Sequence, residues 1–191
     1  MATIAVTEFI SLDGVVEDPG GAEDFKYGGW TFQIERGDEG NAFKLEETMA
    51  TEALLLGRVT YEGFAEAWPT REGEFADKFN SMPKYVVSST LEAPEWNNTT
   101  VLRGAPAEAV ARLKGEQDGN VVVHGSAQLV QTLLEHDLVD ELRLMLFPVV
   151  LGQGKRLFGE TSDKRALELV ESKTVGDGVV ILIYRRKGDS E

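Results

Sequence analysis

The stretch "LLLGRVTYEGF", residues 54 to 64, decides how the chain reads. Three leucines run into Gly57, and a cation, a β-branched residue and a hydroxyl follow before the pattern becomes helical. A short apolar run that ends on a glycine and passes into helical spacing is a buried strand handing over to a helix. The handover recurs in "NVVVHG" at 120 to 125, which leads directly into the helix "SAQLVQTLLEHDL" at 126 to 138. "KYVVSST" at 84 to 90 is a strand that ends in three hydroxyls, and "TTVLRG" at 99 to 104 is a weaker one. "APAEAVARLKGEQDG" at 105 to 119 predicts a helix with Pro106 in its first turn and glycine past its end.

Working outward, "TIAVTEFISLDG" at 3 to 14 predicts a first strand closed by an Asp-Gly turn. Residues 15 to 31 are glycine-rich and predict a long irregular loop, either a binding loop or a plain surface excursion. An acidic helix fills part of 34 to 50, a helix starts near Thr60 and stops before Pro69, and 71 to 83 is a short helical or loop segment. "VDELRLMLFPVVLG" at 139 to 152 is a strand running to Pro148, and "ALELVESKTVGDGVVILIYRR" at 166 to 186 is a hairpin turning on "GDG". Repeated strand–helix units predict an α/β architecture with a mostly parallel sheet covered on both faces and an antiparallel hairpin at its end. No linker, repeat or low-complexity tract divides the chain, so residues 1 to 191 read as one domain.

Composition narrows the function. With 191 residues, 42% of them hydrophobic, the chain can bury one substantial core. No apolar run is long enough to span a membrane, and the opening "MATIAVTEF" carries an acid where a secretory signal needs bases. There is no cysteine, which excludes disulfides and thiolate chemistry and fits a cytoplasmic setting. The two histidines are too few for a metal cluster, and no metal is expected. A formal charge of -14 disfavours nucleic acid as a partner. It does not disfavour a small anion held locally by arginine and backbone amides.

Three strand ends share the features such an anion requires. At the first, Gly57 permits close backbone approach, Thr60 can cap the helix and Arg58 supplies a planar cation, with Val59 between them. The second gathers Ser88, Ser89 and Thr90. At the third, His124 precedes Gly125, Ser126, Ala127 and Gln128, small residues that leave room for a pyrophosphate against the amides of the next helix. In open α/β sheets the ligand crevice lies beyond the carboxyl ends of the strands, where all three fall. Neither a Rossmann glycine signature nor a Walker lysine motif is present.

Taken in order, "SLDG", "LLLGRVTYEGF", "KYVVSSTL", "VVVHGSAQLVQTLL" and "VDELRLMLFPVVLGQGKRLF" resemble the dihydrofolate reductase superfamily. The branch is that of the C-terminal reductase domain of the bifunctional riboflavin-biosynthesis deaminase/reductase. The resemblance implies a three-layer α/β/α fold and an NADPH-dependent reductase acting on a pterin- or pyrimidine-like small molecule. It implies that Gly57, Arg58 and Thr60 support the cofactor phosphates and that Ser88, Ser89 and Thr90 select the adenosine 2'-phosphate. The glycine turn at Gly125 to Gln128 would hold the pyrophosphate, although the family often has Gly-Gly where this chain has Gly125-Ser126. Relatives in the branch are commonly dimers, which implies a homodimer. The deaminase half, with its Cys-bearing zinc motif, is missing. A non-catalytic binder of a nucleotide or other anionic metabolite on the same fold is the alternative.

The remaining candidates are less patterned. Asp13, at the end of the first strand, is positioned to orient substrate or pass a proton, or else simply makes the Asp-Gly turn. Dihydrofolate reductases carry an acid on the helix after the first loop, and this segment offers Asp38, Glu39, Glu46 and Glu47, most of which read as a solvated face. Trp30 and Trp68 can wall an aromatic substrate. Gly152 lies in a turn near the cleft by family resemblance. Arg36, Lys44 and Arg156 are available to a ribose phosphate. The strand at 139 to 149 is apolar on both faces, which fits either coverage by helices or a subunit contact.

Overall fold

The computed structural model describes residues 1–160 and 163–187. Eight strands form one sheet, β1 (Thr3–Ser11), β2 (Ala53–Gly57), β3 (Lys84–Val87), β4 (Thr99–Leu102), β5 (Asn120–Val123), β6 (Glu141–Phe147), β7 (Leu167–Val175) and β8 (Val179–Arg186). Their order is β4-β3-β2-β5-β1-β6-β8-β7. β1 to β6 pair in parallel, and β8 is antiparallel to both β6 and β7. The five α-helices among the described residues are α1 (Gly37–Met49), α2 (Arg58–Ala67), α3 (Glu74–Ser81), α4 (Pro106–Glu116) and α5 (Ala127–Glu135). This is a three-layer α/β/α fold of dihydrofolate reductase-like topology with a C-terminal antiparallel hairpin.

Strand alternation sorts the core. Leu55, Val121, Val123, Leu142 and Leu144 face α4 and α5, meeting Val110, Leu113, Val130 and Leu133. The opposite face carries two separate apolar clusters. One joins Leu54, Leu56 and Val86 to Tyr61 and Phe79 of α2 and α3. The other joins Met145, Phe147 and Ile181 to Trp30, Val175 and Val179. Both faces of β6 are therefore apolar because both are covered within the chain, and the strand's pattern does not require a subunit contact.

Several boundaries differ from the sequence reading, each for a local reason. α2 begins at Arg58 with Gly57 as its N-cap, so Thr60 lies inside the first turn and does not cap the helix. β3 stops at Val87 because Ser88 Oγ accepts the amides of Thr90 and Leu91 at 3.2 and 3.0 Å, which bends the chain out of the strand. β6 ends at Phe147, one residue before Pro148. The loop at 15 to 31 is pinned rather than loose. Asp18 Oδ1 accepts the amides of Ala22 and Glu23, Thr31 Oγ1 donates to Pro19 O, and Trp30 Nε1 donates to Glu17 O.

Candidate functional site

The cleft opens where the central strands part. β1 pairs with β5 only as far as Val6 opposite Val123, whereas its pairing with β6 continues to Ser11 opposite Phe147. Beyond Val123 the chain leaves β1 through His124 and Gly125 into α5, and the gap becomes a cleft of about 970 Å³. It lies at the carboxyl ends of the parallel strands, where adjacent connections diverge. A cavity of about 190 Å³ at the opposite edge, lined by Asp137, Asp140 and Arg165 among others, is separate from these strand ends.

Two helix starts meet across this cleft. A Cβ on Gly57 would stand 2.5 Å from Ser126 Oγ, so the turn before α2 can approach the turn before α5 only as glycine. Gly125 has φ 72°, and a Cβ there would lie 3.2 Å from Thr60 Oγ1 and 3.5 Å from Glu8 Oε1. Neither N-cap, Gly57 or Ser126, gives a side-chain cap hydrogen bond, and neither helix has an acid in its first turn. The other three described α-helices also lack a side-chain cap but carry a first-turn acid: Asp38 and Glu39 in α1, Glu74 and Asp77 in α3, Glu108 in α4. The first-turn amides of α2 and α5 are thus left without the carboxylates that complement a helix N-terminus elsewhere in the chain.

The parallel register sets three further residues side by side. Gly57 pairs with Val87 and Val87 with Leu102, so Arg58, Ser88 and Arg103 follow one another across the sheet edge. Arg58 is bidentate to Glu62, 2.9 Å to each oxygen, and is half exposed. Arg103, which sequence reasoning did not single out, donates to Ser88 O at 3.1 Å and to Leu91 O. Ser89 and Thr90 are exposed beside it.

The cleft floor is polar and was not legible as a site. Lys44 of α1 is buried, with Nζ donating to Thr7 Oγ1 at 2.8 Å and to Glu47 Oε2. Thr7 in turn donates to Glu47 Oε2 at 2.9 Å, and Arg143 stands 3.6 Å from Glu47 Oε1. Glu47 is therefore an interior residue, not part of a solvated face, whereas Asp38, Glu39 and Glu46 are exposed. Next to Thr7, Glu8 lines the cleft, and its Oε1 is shielded from solvent with no hydrogen-bond partner among the described residues. Burial pushes the Glu8 carboxyl up to about 8, although Lys44 and the Gly125 amide pull the other way. His124 also lines the cleft, edge-on to Phe64 and Phe79 at 5.9 and 5.4 Å. Its burial, and then the Lys44 charge, hold it well below its ordinary value and so neutral at pH 7.

The aromatic and turn candidates separate. Trp68 lines the cleft, stacked on Phe75 at 5.1 Å. Trp30 does not wall it: the indole is 2% exposed and packs edge-on against Phe147. Asp13 is spent on its own loop. Its carboxylate accepts from Ser11 Oγ at 2.7 Å, Leu151 N at 3.1 Å and Gly152 N at 2.8 Å, with Arg156 at 3.8 Å. The Ser11 hydroxyl, with the Leu151 and Gly152 amides adding to it against the opposing effect of burial, holds it down to about 2. The turn reading of Asp13 and Gly152 accounts for both residues, and Arg156, bound also to Asp13 O, is committed to the same loop. Val59, Gln128 and Arg36 all face the cleft.

The cleft thus combines two helix starts without first-turn acids and an aromatic wall, on an α/β fold of dihydrofolate reductase-like topology. The chain belongs to the family of the RibD C-terminal domain, which matches residues 2–181. The protein YyaP of Bacillus subtilis (strain 168) is 30% identical over 184 residues, spanning 94% of this chain and 92% of that one. A protein from Shewanella sp. PV-4, provisionally named for riboflavin biosynthesis, has a solved structure that covers 98% of this chain and 99% of its own, with 25% identity and a TM-score of 0.77. The fold also matches a diaminohydroxyphosphoribosylaminopyrimidine deaminase/5-amino-6-(5-phosphoribosylamino)uracil reductase from Thermotoga maritima, at 17% identity and a TM-score of 0.65. That likeness covers 97% of this chain and 57% of the Thermotoga protein. Among the described residues no helix is long and apolar enough to cross a membrane.

Proposed function

We propose that the chain is an NADPH-dependent reductase of a C=N or CH–NH group in a pterin- or pyrimidine-like small molecule, working as a single-domain cytoplasmic homodimer. The observation that carries this reading is the contrast among α-helix starts: of the five described α-helices, only α2 and α5, the two that meet across the cleft, have no acid in the first turn. A cation at a helix N-terminus opposes the macrodipole, so Arg58 at the start of α2 makes electrostatic sense beside a bound anion. When bound, the nicotinamide supplies a hydride. Gly57, Thr60, Gly125, Ser126, Ala127 and Gln128 would hold the phosphates at the two helix starts. Ser88, Ser89 and Thr90, flanked by Arg58 and Arg103, would receive the adenosine 2'-phosphate. Trp68 and Phe75 would wall the reacting ring.

Fluorescence titration with NADPH and NADH tests the reading. Wild type should bind NADPH more tightly. Arg58→Ala and Arg103→Ala should each weaken NADPH about tenfold, since a hydrogen bond to a charged group is worth about 1.5–3 kcal/mol, and leave NADH nearly unchanged. No saturable NADPH binding at millimolar concentration by the folded protein defeats the reading. Binding without oxidation of NADPH in the presence of either a dihydropterin or a phosphoribosylaminopyrimidine favours a non-catalytic binder.

A further inference from the structure

Of the carboxyl and imidazole groups at and behind the cleft floor, three are already committed. Asp13 is held by Ser11, Leu151 and Gly152 in the loop beyond β1. Glu47 is tied to Lys44 and Thr7, with Arg143 behind it. His124 is neutral at pH 7 and packed against two phenylalanines, so it has no imidazolium proton to give. Glu8 Oε1 is buried, has no hydrogen-bond partner among the described residues, and lies by the turn where α5 begins. Glu47 Oε1 is also unpartnered but has Arg143 at 3.6 Å, and the unpartnered Asp18 Oδ2 belongs to a carboxylate whose Oδ1 already holds the Ala22 and Glu23 amides of its own loop.

Its placement follows from the sheet. Glu8 lies two residues past Val6, the last β1 residue paired with β5, and opposite Leu144 of β6. Its side chain therefore shares the face of Val6 and Leu144 but emerges where β5 has already turned away. That brings Oε1 near Gly125, where a Cβ would meet both it and Thr60 Oγ1.

We propose that the Glu8 carboxyl supplies the proton that completes reduction of a C=N bond brought beside it on the cleft floor, and that Lys44 stabilises the carboxylate left behind. The proposal rests on the reductase reading above. The imine carbon takes the hydride, and the π electron pair of the C=N bond moves to nitrogen. The O–H bond of Glu8 breaks as the new N–H bond forms, giving the amine and a carboxylate. Water entering the open cleft returns the proton to Glu8. The groups that set when this carboxyl is loaded come from each element around it. Lys44 of α1 acts on it where β5 has left β1, Glu47 and Arg143 sit with Thr7 on the other face of β1 and β6, and His124 stands at the end of β5. Arg36 of the α1 start and Glu62 and Glu66 of α2 line the cleft walls. Of these, the Lys44 charge is the one that acts on Glu8 directly. The carboxyl stays protonated through neutral pH, since its affinity for a proton is pushed up to about 8.

The test uses wild type, Glu8→Gln and Glu8→Asp. Infrared difference spectra recorded from pH 5 to 9 on the protein alone should show a protonated carboxyl signal that disappears with a midpoint near 8 and is missing from E8Q. NADPH affinity in E8Q should stay within about twofold of wild type. With 5-amino-6-(5-phosphoribosylamino)uracil-type imine and dihydrofolate as acceptors, kcat should fall about 100-fold or more in E8Q and recover in part in E8D. The wild-type kcat should decline above about pH 8, a limb absent from E8Q. Wild-type turnover in E8Q, or a Glu8 carboxyl already ionised at pH 7, overturns the proposal while leaving the reductase reading standing. Wild type that binds NADPH and reduces neither acceptor overturns the proton transfer together with the substrate class. Absence of NADPH binding instead defeats the reductase reading itself.

Discussion

Lys84 and Lys44 are both buried lysines, and they do opposite things. Lys84 is 0% exposed, with Nζ enclosed by the carbonyls of Asn80, Met82 and Asn97 at 3.0, 2.8 and 2.9 Å and lying 4.3 Å from the Trp96 ring centre. An ammonium has three donors, and here each has an acceptor. Burial still costs the charge enough to pull its affinity for a proton down to about 8. Among the described residues Lys44 donates to Thr7 and Glu47, with the Phe9 ring 5.5 Å away, and its field reaches both Glu8 and His124 on the cleft floor. Burial alone therefore does not mark a functional ionisable group. What separates the two is whether the bonding capacity is exhausted by the scaffold or left directed at a ligand.

The largest effect expected from breaking this contrast is at Lys44. Lys44→Met leaves Glu47 buried with the Thr7 hydroxyl and, as its remaining cation among the described residues, Arg143 at 3.6 Å, and removing one member of a buried pair costs about 3–5 kcal/mol. Urea denaturation should show that loss. The infrared midpoint of Glu8 should also rise above its wild-type position, because Lys44 is what lowers it. Lys84→Met should cost roughly 3 kcal/mol, given three buried carbonyls left without a charged donor. The NADPH dissociation constant and the Glu8 midpoint should both stay put. A shift of either would mean the carbonyl cage is part of the site after all.

The smallest effect sharpens the same contrast with a carboxylate. Asp13 resembles Lys84 in having its partners fixed by the scaffold, so Asp13→Asn should cost about 1 kcal/mol and leave turnover and NADPH affinity unchanged. Its folded carboxyl ionises near 2 against an ordinary 3.8, so the stability it adds is present above pH 3.8 and is lost as pH falls towards 2. Acid denaturation of D13N should lack that component. A D13N protein with wild-type stability and impaired turnover would return Asp13 to the chemistry.

How much of this was legible in the sequence depends on the kind of order involved. The strand ends at Gly57 and Gly125 were readable because a buried apolar run, a glycine and a helix are local signals. Thr60 was misread as a cap because local sequence fixes a helix boundary only to within a few residues, and α2 takes Gly57, three residues earlier, as its N-cap. α1 hid the most. Its buried residues are Gly40, Lys44, Glu47 and Thr48, which have helical spacing but almost no apolar character. A search for hydrophobic periodicity cannot find an inward face made of glycine, lysine, glutamate and threonine. Glu8 was hidden for a related reason: "VTEFI" alternates as any strand does, and nothing local says that β5 departs just before its side chain emerges. Arg103 becomes meaningful only once the register sets it beside Ser88. Trp30 was assigned to the cleft because an aromatic in a glycine-rich loop reads as exposed, whereas the loop folds back and buries it.

The central place of β1 also bears on how the protein is made. Its two neighbours in the sheet are β5 and β6, which begin at Asn120 and Glu141, so the first strand synthesised has no sheet partner until most of the chain has followed. β2, β3 and β4 can pair among themselves much earlier. Such separation in sequence makes the central pairing slow, and it leaves "IAVTEFI" as an unpaired apolar strand on the nascent chain. Glu8 and Thr7, the residues that give the cleft floor its polarity, are also the two that interrupt that strand's hydrophobicity while it waits.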